Sequence, residues 1–194
     1  SGIADHFFGG AYGEYTFHAG DIFTSIVGVS ADWYKGNGFK LAPRLTLKYS
    51  PAEWFVARAN GGRGLRHADP VADNIGVMST HSRLQGNCME RLLEDSWTFG
   101  GNLTFYMPLG VDPSKTYVSF DYFRTQFARQ LMVDYEVPGT DVNGGRDIWF
   151  FDSDGRRSYS DNWQVDFNVE PFDRFTVALT GRYTNARQEN YGGE

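Results

Sequence analysis

Apolar and polar residues alternate along most of this chain with a period of two. Leu41, Pro43, Leu45, Leu47 and Tyr49 alternate with Ala42, Arg44, Thr46 and Lys48. After a break at Ser50-Pro51-Ala52-Glu53, Phe55, Ala57 and Ala59 alternate with Val56, Arg58 and Asn60. Successive side chains of an extended backbone point to opposite faces, so this stretch is predicted to be a hairpin. The same pattern predicts strands at 8–18, 21–34, 96–107, 158–170 and 174–186. The 158–170 segment is the cleanest, with Tyr159, Trp163, Val165, Phe167 and Val169 opposite Asn162, Gln164, Asp166 and Asn168. A further strand at about 116–135 changes phase: Val118, Phe120 and Tyr122 are even-numbered, Phe127, Leu131 and Val133 odd. A bulge, or a strand leaving one environment for another, would produce that shift. No helical period of useful length is present; "CMERLLEDSW" offers one short helical turn in a loop.

The connections alternate in length. Those at 19–20, 50–53, 108–115 and 171–173 are short, whereas 66–95 and 136–157 are long and "YKGNGF" is only marginally longer than the short ones. Several strands run well beyond the usual ~5–6 residues of soluble sheets and match the ~9–11 that a tilted membrane strand needs. The polar phase carries Arg44, Lys48, Arg58, Asp166, Glu170 and Arg182. Aromatics such as Phe17, Trp33, Tyr49, Trp97, Phe175 and Tyr183 sit near strand ends, as in interfacial girdles. A membrane barrel and a soluble β-sandwich both alternate in this way, and loop asymmetry and strand length favour the barrel.

Composition changes the picture only a little. Mean hydropathy is −0.45, which excludes a bundle of membrane helices but not a barrel, whose strands show half their residues to lipid. A net charge of −6 with no basic stripe makes nucleic acid an unsuitable partner. The single cysteine, Cys88, excludes an intramolecular disulfide framework. The start, "SGIADHFFGG", lacks the plan of a signal peptide, so the residues are expected to be cytosolic, already processed, or cut from a longer chain.

Candidate chemistry is sparse. "GGRGLR" (61–66) follows a strand with no helix for a phosphate to cap, so its small residues are read as packing positions. "DSDG" (152–155) lacks the later acidic ligand of a calcium loop and is read as a turn. His67, Met78, His81, Cys88 and Met89 share one loop at spacings that match no metal pattern. Arg44, Arg58, Arg63 and Arg182 are expected on the polar face. No metal or cofactor site and no catalytic grouping stands out.

"LAPRLTLKYSPAEWFVARANGGRGLRHADPVADNIG" resembles the mid-barrel signature of TonB-dependent outer-membrane receptors: a Pro-Arg strand, a short turn, and a strand ending in a Gly-Leu-Arg motif before a long outer loop. "DYFRTQFARQLMVDYE" and "GRRSYSDNWQVDFNVEPFDRFTVALTGRYTNA" resemble later strands of that family, particularly the forms common in Bacteroidetes. The resemblance implies a transmembrane antiparallel β-barrel wall over residues 1–194, about eight strands of a barrel of about twenty-two. The plug domain and TonB box would lie outside this stretch, and 66–95 and 136–157 would be outer loops. It implies energy-coupled uptake of an iron chelate, a cobalamin or a glycan in the bacterial outer membrane, with no enzyme activity. The partners would be lipid, the rest of the barrel, the plug and TonB. Ligand contacts are expected at Arg146, Asp147, Trp149, Phe150 and Phe151. A small self-contained porin or adhesin and a soluble carbohydrate-binding sandwich are the alternatives.

Overall fold

The computed structural model describes residues 8–34, 38–69, 73, 84–86, 92–110, 112–138, 146–153 and 158–188. Its strands are β1 (Phe8–Ala19), β2 (Phe23–Tyr34), β3 (Gly38–Ala52), β4 (Phe55–Ala68), β5 (Leu84–Gly86), β6 (Leu92–Tyr106), β7 (Tyr117–Arg129), β8 (Leu131–Pro138), β9 (Arg146–Asp152), β10 (Ser158–Phe172) and β11 (Phe175–Gln188). Among the described residues the only helical element is a 3-10 turn at Pro113–Lys115. Eight strands form one sheet in the order β1-β2-β3-β4-β6-β7-β10-β11, and β5-β9-β8 form a second. The larger sheet contains the segments that alternation predicts, each beside the next in that order.

Register sharpens the connections. Ala52 pairs with Phe55, leaving a two-residue turn at Glu53-Trp54, and the Ser-Pro stretch read as a break belongs to β3 with a register shift between Tyr49 and Ala52. A proline at such an irregularity forfeits no ladder bond. Tyr34 pairs with Gly38, so the two strands extend into the stretch read as a marginally longer connection. Asp173 and Arg174 join β10 to β11, with Arg174 at a φ of 66°. The two connections expected as long outer loops contribute β5 and β9 to the three-stranded sheet, whose third strand, β8, begins inside the predicted strand at 116–135. β5 and β9 pair in parallel, an exception to an all-antiparallel arrangement. A strand of three residues is too short to display a period, which is why alternation passes over it.

The chain divides into two compact units, one of residues 1–63, 97–125 and 159–186, the other of 64–96, 126–158 and 187–194. Their interiors differ in kind. Apart from Tyr34 and Val56, the buried described side chains of the first unit are polar: Thr104, Thr116, Ser119 and Glu170. Its large apolar residues lie on the surface, with Trp163 at 52% and Leu179 at 63% exposure. The second unit buries Ala68, Leu92, Leu93, Met132, Ile148 and Phe150, a mainly apolar core, together with Ser153 and Ser158. Covering a large apolar side chain is worth about 1.5–3 kcal/mol, so a sheet that exposes so many must have its cover outside the chain.

The phase shift predicted in 116–135 has its counterpart here. Thr125, whose hydroxyl meets that of Thr98 at 3.1 Å, shares its parity with Phe127, which lines a cavity of the second unit. The chain then breaks at Gln130 and continues as β8 in the three-stranded sheet. The single strand predicted there is two strands.

Candidate functional site

In the first unit, the polar phase forms a hydrogen-bonded layer. Arg58 donates to Asn102 Oδ1 at 3.3 Å, and Asn102 donates to Asp121 at 2.8 Å. Thr180 donates to Asp166 at 2.6 Å, Arg182 to Gln164 at 2.6 Å and Thr184 to Asn162 at 2.8 Å. Arg44 donates to Glu14 at 2.7 Å and to Tyr12, which itself donates to Glu14. That reach passes over Gly28, which pairs with both Glu14 and Arg44. A Cβ at Gly28 would stand 2.8 Å from Arg44 Nε. On the other side a Cβ at Gly62 would stand 3.1 Å from that of Arg44. Gly62, and Gly64, where a Cβ would stand 3.1 Å from Ser96 Oγ, are thus close-packed positions of "GGRGLR", whereas a Cβ at Gly61 would make only ordinary contact. Arg63 departs from expectation: it shares the phase of Phe55 and Gly61, opposite Arg58, and donates to Leu41 O at 2.9 Å. Its parity, counted from Phe55, was enough to place it.

The apolar phase has rings and one charged pair. Trp163 stacks obliquely on Tyr122 at 4.2 Å between centroids. Arg124 lies 4.4 Å over Tyr159 and 3.5 Å from Asp161, which also accepts from the Tyr122 hydroxyl. At the short turns, Lys115 donates to buried Glu170 at 2.8 Å, and that contact raises the lysine pKa. The Ser114 hydroxyl, and then its amide, hold the Asp112 carboxyl below its usual range. A hollow of about 890 Å³ beside Trp54, Tyr106, Met107 and Pro108 lies among these turns.

The second unit holds a cavity of about 520 Å³, within the ~300–1,000 Å³ usual for ligand sites. Its polar lining is Arg66, Asp73, Glu94, Ser96 and Gln130, and Phe127, Leu131 and Val133 are among its apolar lining. Arg66 is held at both ends: Nε donates to Glu94 at 3.1 Å and Nη2 to Asp73 at 2.8 Å. The other Glu94 oxygen accepts the Leu131 amide at 3.1 Å, which fixes the start of β8. Gln130 is stapled to Ser153 through both backbone groups, and its side-chain oxygen accepts from Ser158. Arg129 grips Asp152 at 2.7 Å, so the first carboxylate of "DSDG" is engaged by a guanidinium.

The residues expected to meet a ligand divide by position. β9 runs through Arg146, Asp147, Ile148, Trp149, Phe150, Phe151 and Asp152; Arg146 pairs with Pro138 and Asp147 with Val137. The side chains of Arg146 and Asp147 lie outside the described set. Trp149 is 39% exposed, Phe151 is half-buried, and Phe150 is 1% exposed in the core with Met132 and Ile148. Phe150 is enclosed by protein and presents no surface to a ligand. Met78, His81, Cys88 and Met89 lie outside the described residues. Among the described residues no group of three His, Cys, Asp or Glu could hold a metal ion. Sequence reasoning missed Arg66, Glu94 and Gln130, although the "GLR" ending of β4 was in view. Their meeting depends on β4, β6 and the break between β7 and β8 converging, which no local period encodes.

No family model matches this sequence, and no curated protein does. Among solved structures it is similar to the crystal structure of the siderophore receptor PirA from Pseudomonas aeruginosa, with a TM-score of 0.70 and 14% identity. The match covers 93% of this chain and 34% of that one, so the chain spans about a third of the receptor's length. The architecture is that of an antiparallel wall in an outer-membrane β-barrel.

Proposed function

We propose that this chain forms part of the wall of an outer-membrane receptor, of the kind common in Bacteroidetes, that takes up a scarce nutrient with energy relayed by TonB. The observation that carries this reading is the inverted burial of the first unit. An apolar phase exposed on strands of 12–15 residues fits a band facing lipid, and the hydrogen-bonded opposite phase fits a wet lumen. The edges β1 and β11 would pair with the remaining wall, because unpaired backbone is not tolerated in hydrocarbon.

On this reading the short turns are periplasmic, and the connections holding β5, β8 and β9 face outward. Ligands too large for open pores need a wide barrel obstructed by a plug, and outer segments capture them before the plug moves. Trp149 and Phe151, with Arg146 and Asp147 on the same strand, are the proposed contacts for an iron chelate, a cobalamin or a glycan. No bond is broken, so no catalytic residue is assigned.

Fractionation of cells expressing the intact protein tests the reading. It should sediment with outer membranes, resist extraction by salt, and support uptake only while the proton-motive force and TonB are present. Recovery as a soluble protein without detergent would overturn it.

A further inference from the structure

The second unit's cavity carries a statement about ligand charge that the receptor reading does not contain. Its described ionisable lining is Arg66, Asp73 and Glu94, one cation against two carboxylates. The cation is already committed, with Arg66 donating to both carboxylates at 3.1 and 2.8 Å. An anionic ligand entering here would have to displace a carboxylate from the guanidinium and would meet a second negative charge close by. Such an exchange forfeits charge-assisted bonds already made.

Neutral hydroxyls meet the opposite situation. Among the described residues two of the five Arg66 N–H groups are engaged, and they lie beside carboxylate oxygens that keep acceptor capacity. Gln130 accepts from Ser158 through its oxygen, which leaves its amide NH₂ as a further donor in the lining. Donors and acceptors side by side suit hydroxyls, since each hydroxyl does both. Phe127, Leu131 and Val133 supply an apolar wall for a ring edge. Glu94 is clamped at both oxygens, so the array is pre-organised and little ordering accompanies binding.

We infer that this cavity is a binding site for a neutral, polyhydroxylated ligand with an apolar edge, such as a sugar unit, and that it discriminates against anionic ligands. The inference rests on the receptor reading only for access from outside; its chemistry belongs to the cavity.

The test is titration of the intact, detergent-solubilised protein with a panel of neutral oligosaccharides and, separately, with ferric citrate, read by tryptophan fluorescence and calorimetry. A neutral oligosaccharide should bind more tightly than ferric citrate, and Phe127→Ala should weaken it about tenfold. The double variant Asp73→Asn/Glu94→Gln removes two negative charges and should raise ferric citrate affinity about tenfold at low salt, an effect that added salt abolishes. Gln130→Glu, which adds a negative charge, is the second variant and should lower ferric citrate affinity further. Tighter binding of ferric citrate than of any oligosaccharide, binding of neither, or oligosaccharide binding indifferent to Phe127→Ala would overturn the inference. A soluble protein that binds oligosaccharide in this cavity would refute the receptor reading and leave this one standing.

Discussion

Val165→Arg separates a lipid-facing sheet from a water-facing one. Val165 lies on the apolar phase of β10 at 42% exposure, four positions from Asp161 and four from Val169. At about 3.3 Å per residue it sits about 13 Å along the strand from either limit. If the band from Asp161 to Val169 spans the hydrocarbon, Val165 is at its midplane. A guanidinium there costs about 2–4 kcal/mol, or roughly a 30- to 900-fold fall in the folded-to-unfolded ratio. In water the same change on an exposed strand residue is worth less than about 0.5 kcal/mol.

The matched control is Ala178→Arg on β11, an exposed residue on the opposite, polar phase beside Leu179. It should stay within about 0.5 kcal/mol of the parent, because a wet lumen accepts a charge. Urea unfolding of the intact protein in phospholipid vesicles, followed by tryptophan fluorescence, reads both variants. A Val165→Arg protein as stable as the parent beside an Ala178→Arg protein that loses more than about 2 kcal/mol would show that the faces are assigned backwards. Equal, small losses would show that neither face meets lipid.

Other consequences follow from named contacts. Gly28→Ala should destabilise the first unit by about 1–2 kcal/mol, and Arg44→Ala in the same protein should recover most of it in a double-mutant cycle. The Arg44–Glu14 pair is exposed and by itself worth only about 0–1 kcal/mol. Phe150→Ala should cost the second unit about 3–5 kcal/mol, read as faster hydrogen exchange in β8 and β9, while Trp149→Ala should leave that exchange unchanged and weaken ligand capture. The Asp112 pKa is lowered on folding by Ser114, so its stabilisation is present above the ordinary carboxylate range and is lost as pH falls through the lower folded value. Amide exchange around 112–115 should quicken in that acid window, and Ser114→Ala, which removes the hydroxyl but keeps the amide bond, should weaken the dependence. Protease added to intact cells should cut within 66–95 or 136–157; cutting only at 53–54 or 173–174 would invert the proposed orientation.

Alternation made the eight long strands legible because each runs through several full periods of two, from Phe8–Ala19 to Phe175–Gln188. β5 at Leu84–Gly86 holds too few residues for a period and pairs in parallel, so nothing local announces it. Turn lengths were legible only approximately. Ser50 and Pro51 read as loop, yet strand pairing carries β3 past them to Ala52. The site was less accessible still. Phe150 and Trp149 have similar sequence credentials; as neighbours on β9 they point to opposite faces of its sheet, and only the fold decides which face is buried. Arg66 and Glu94 come from β4 and β6 and Gln130 from the break between β7 and β8, and they meet through tertiary structure alone.

The phase change within β7 explains why one alternating sequence builds both kinds of interior. Up to Thr125 the odd positions are the polar side, as the Asn102–Asp121 and Thr98–Thr125 contacts record. Two residues on, at Phe127, the same side becomes apolar without any loss of strand. A strand cannot turn a side chain over without a bulge, so it is the surroundings that change sign. Residues before the shift belong to a unit whose apolar side chains are exposed, and those after it to a unit whose apolar side chains are buried. The hydrophobic effect sends apolar groups away from water in both. On the proposed reading, an apolar medium outside the sheet does this for the first unit; within the second the chain itself does. On the receptor reading proposed above, Phe127 would mark where the environment of the wall passes from lipid to water, and a spin label scanned along the outer-phase positions from Phe120 to Ala128 should then pass from oxygen-accessible to nickel-accessible near Arg124.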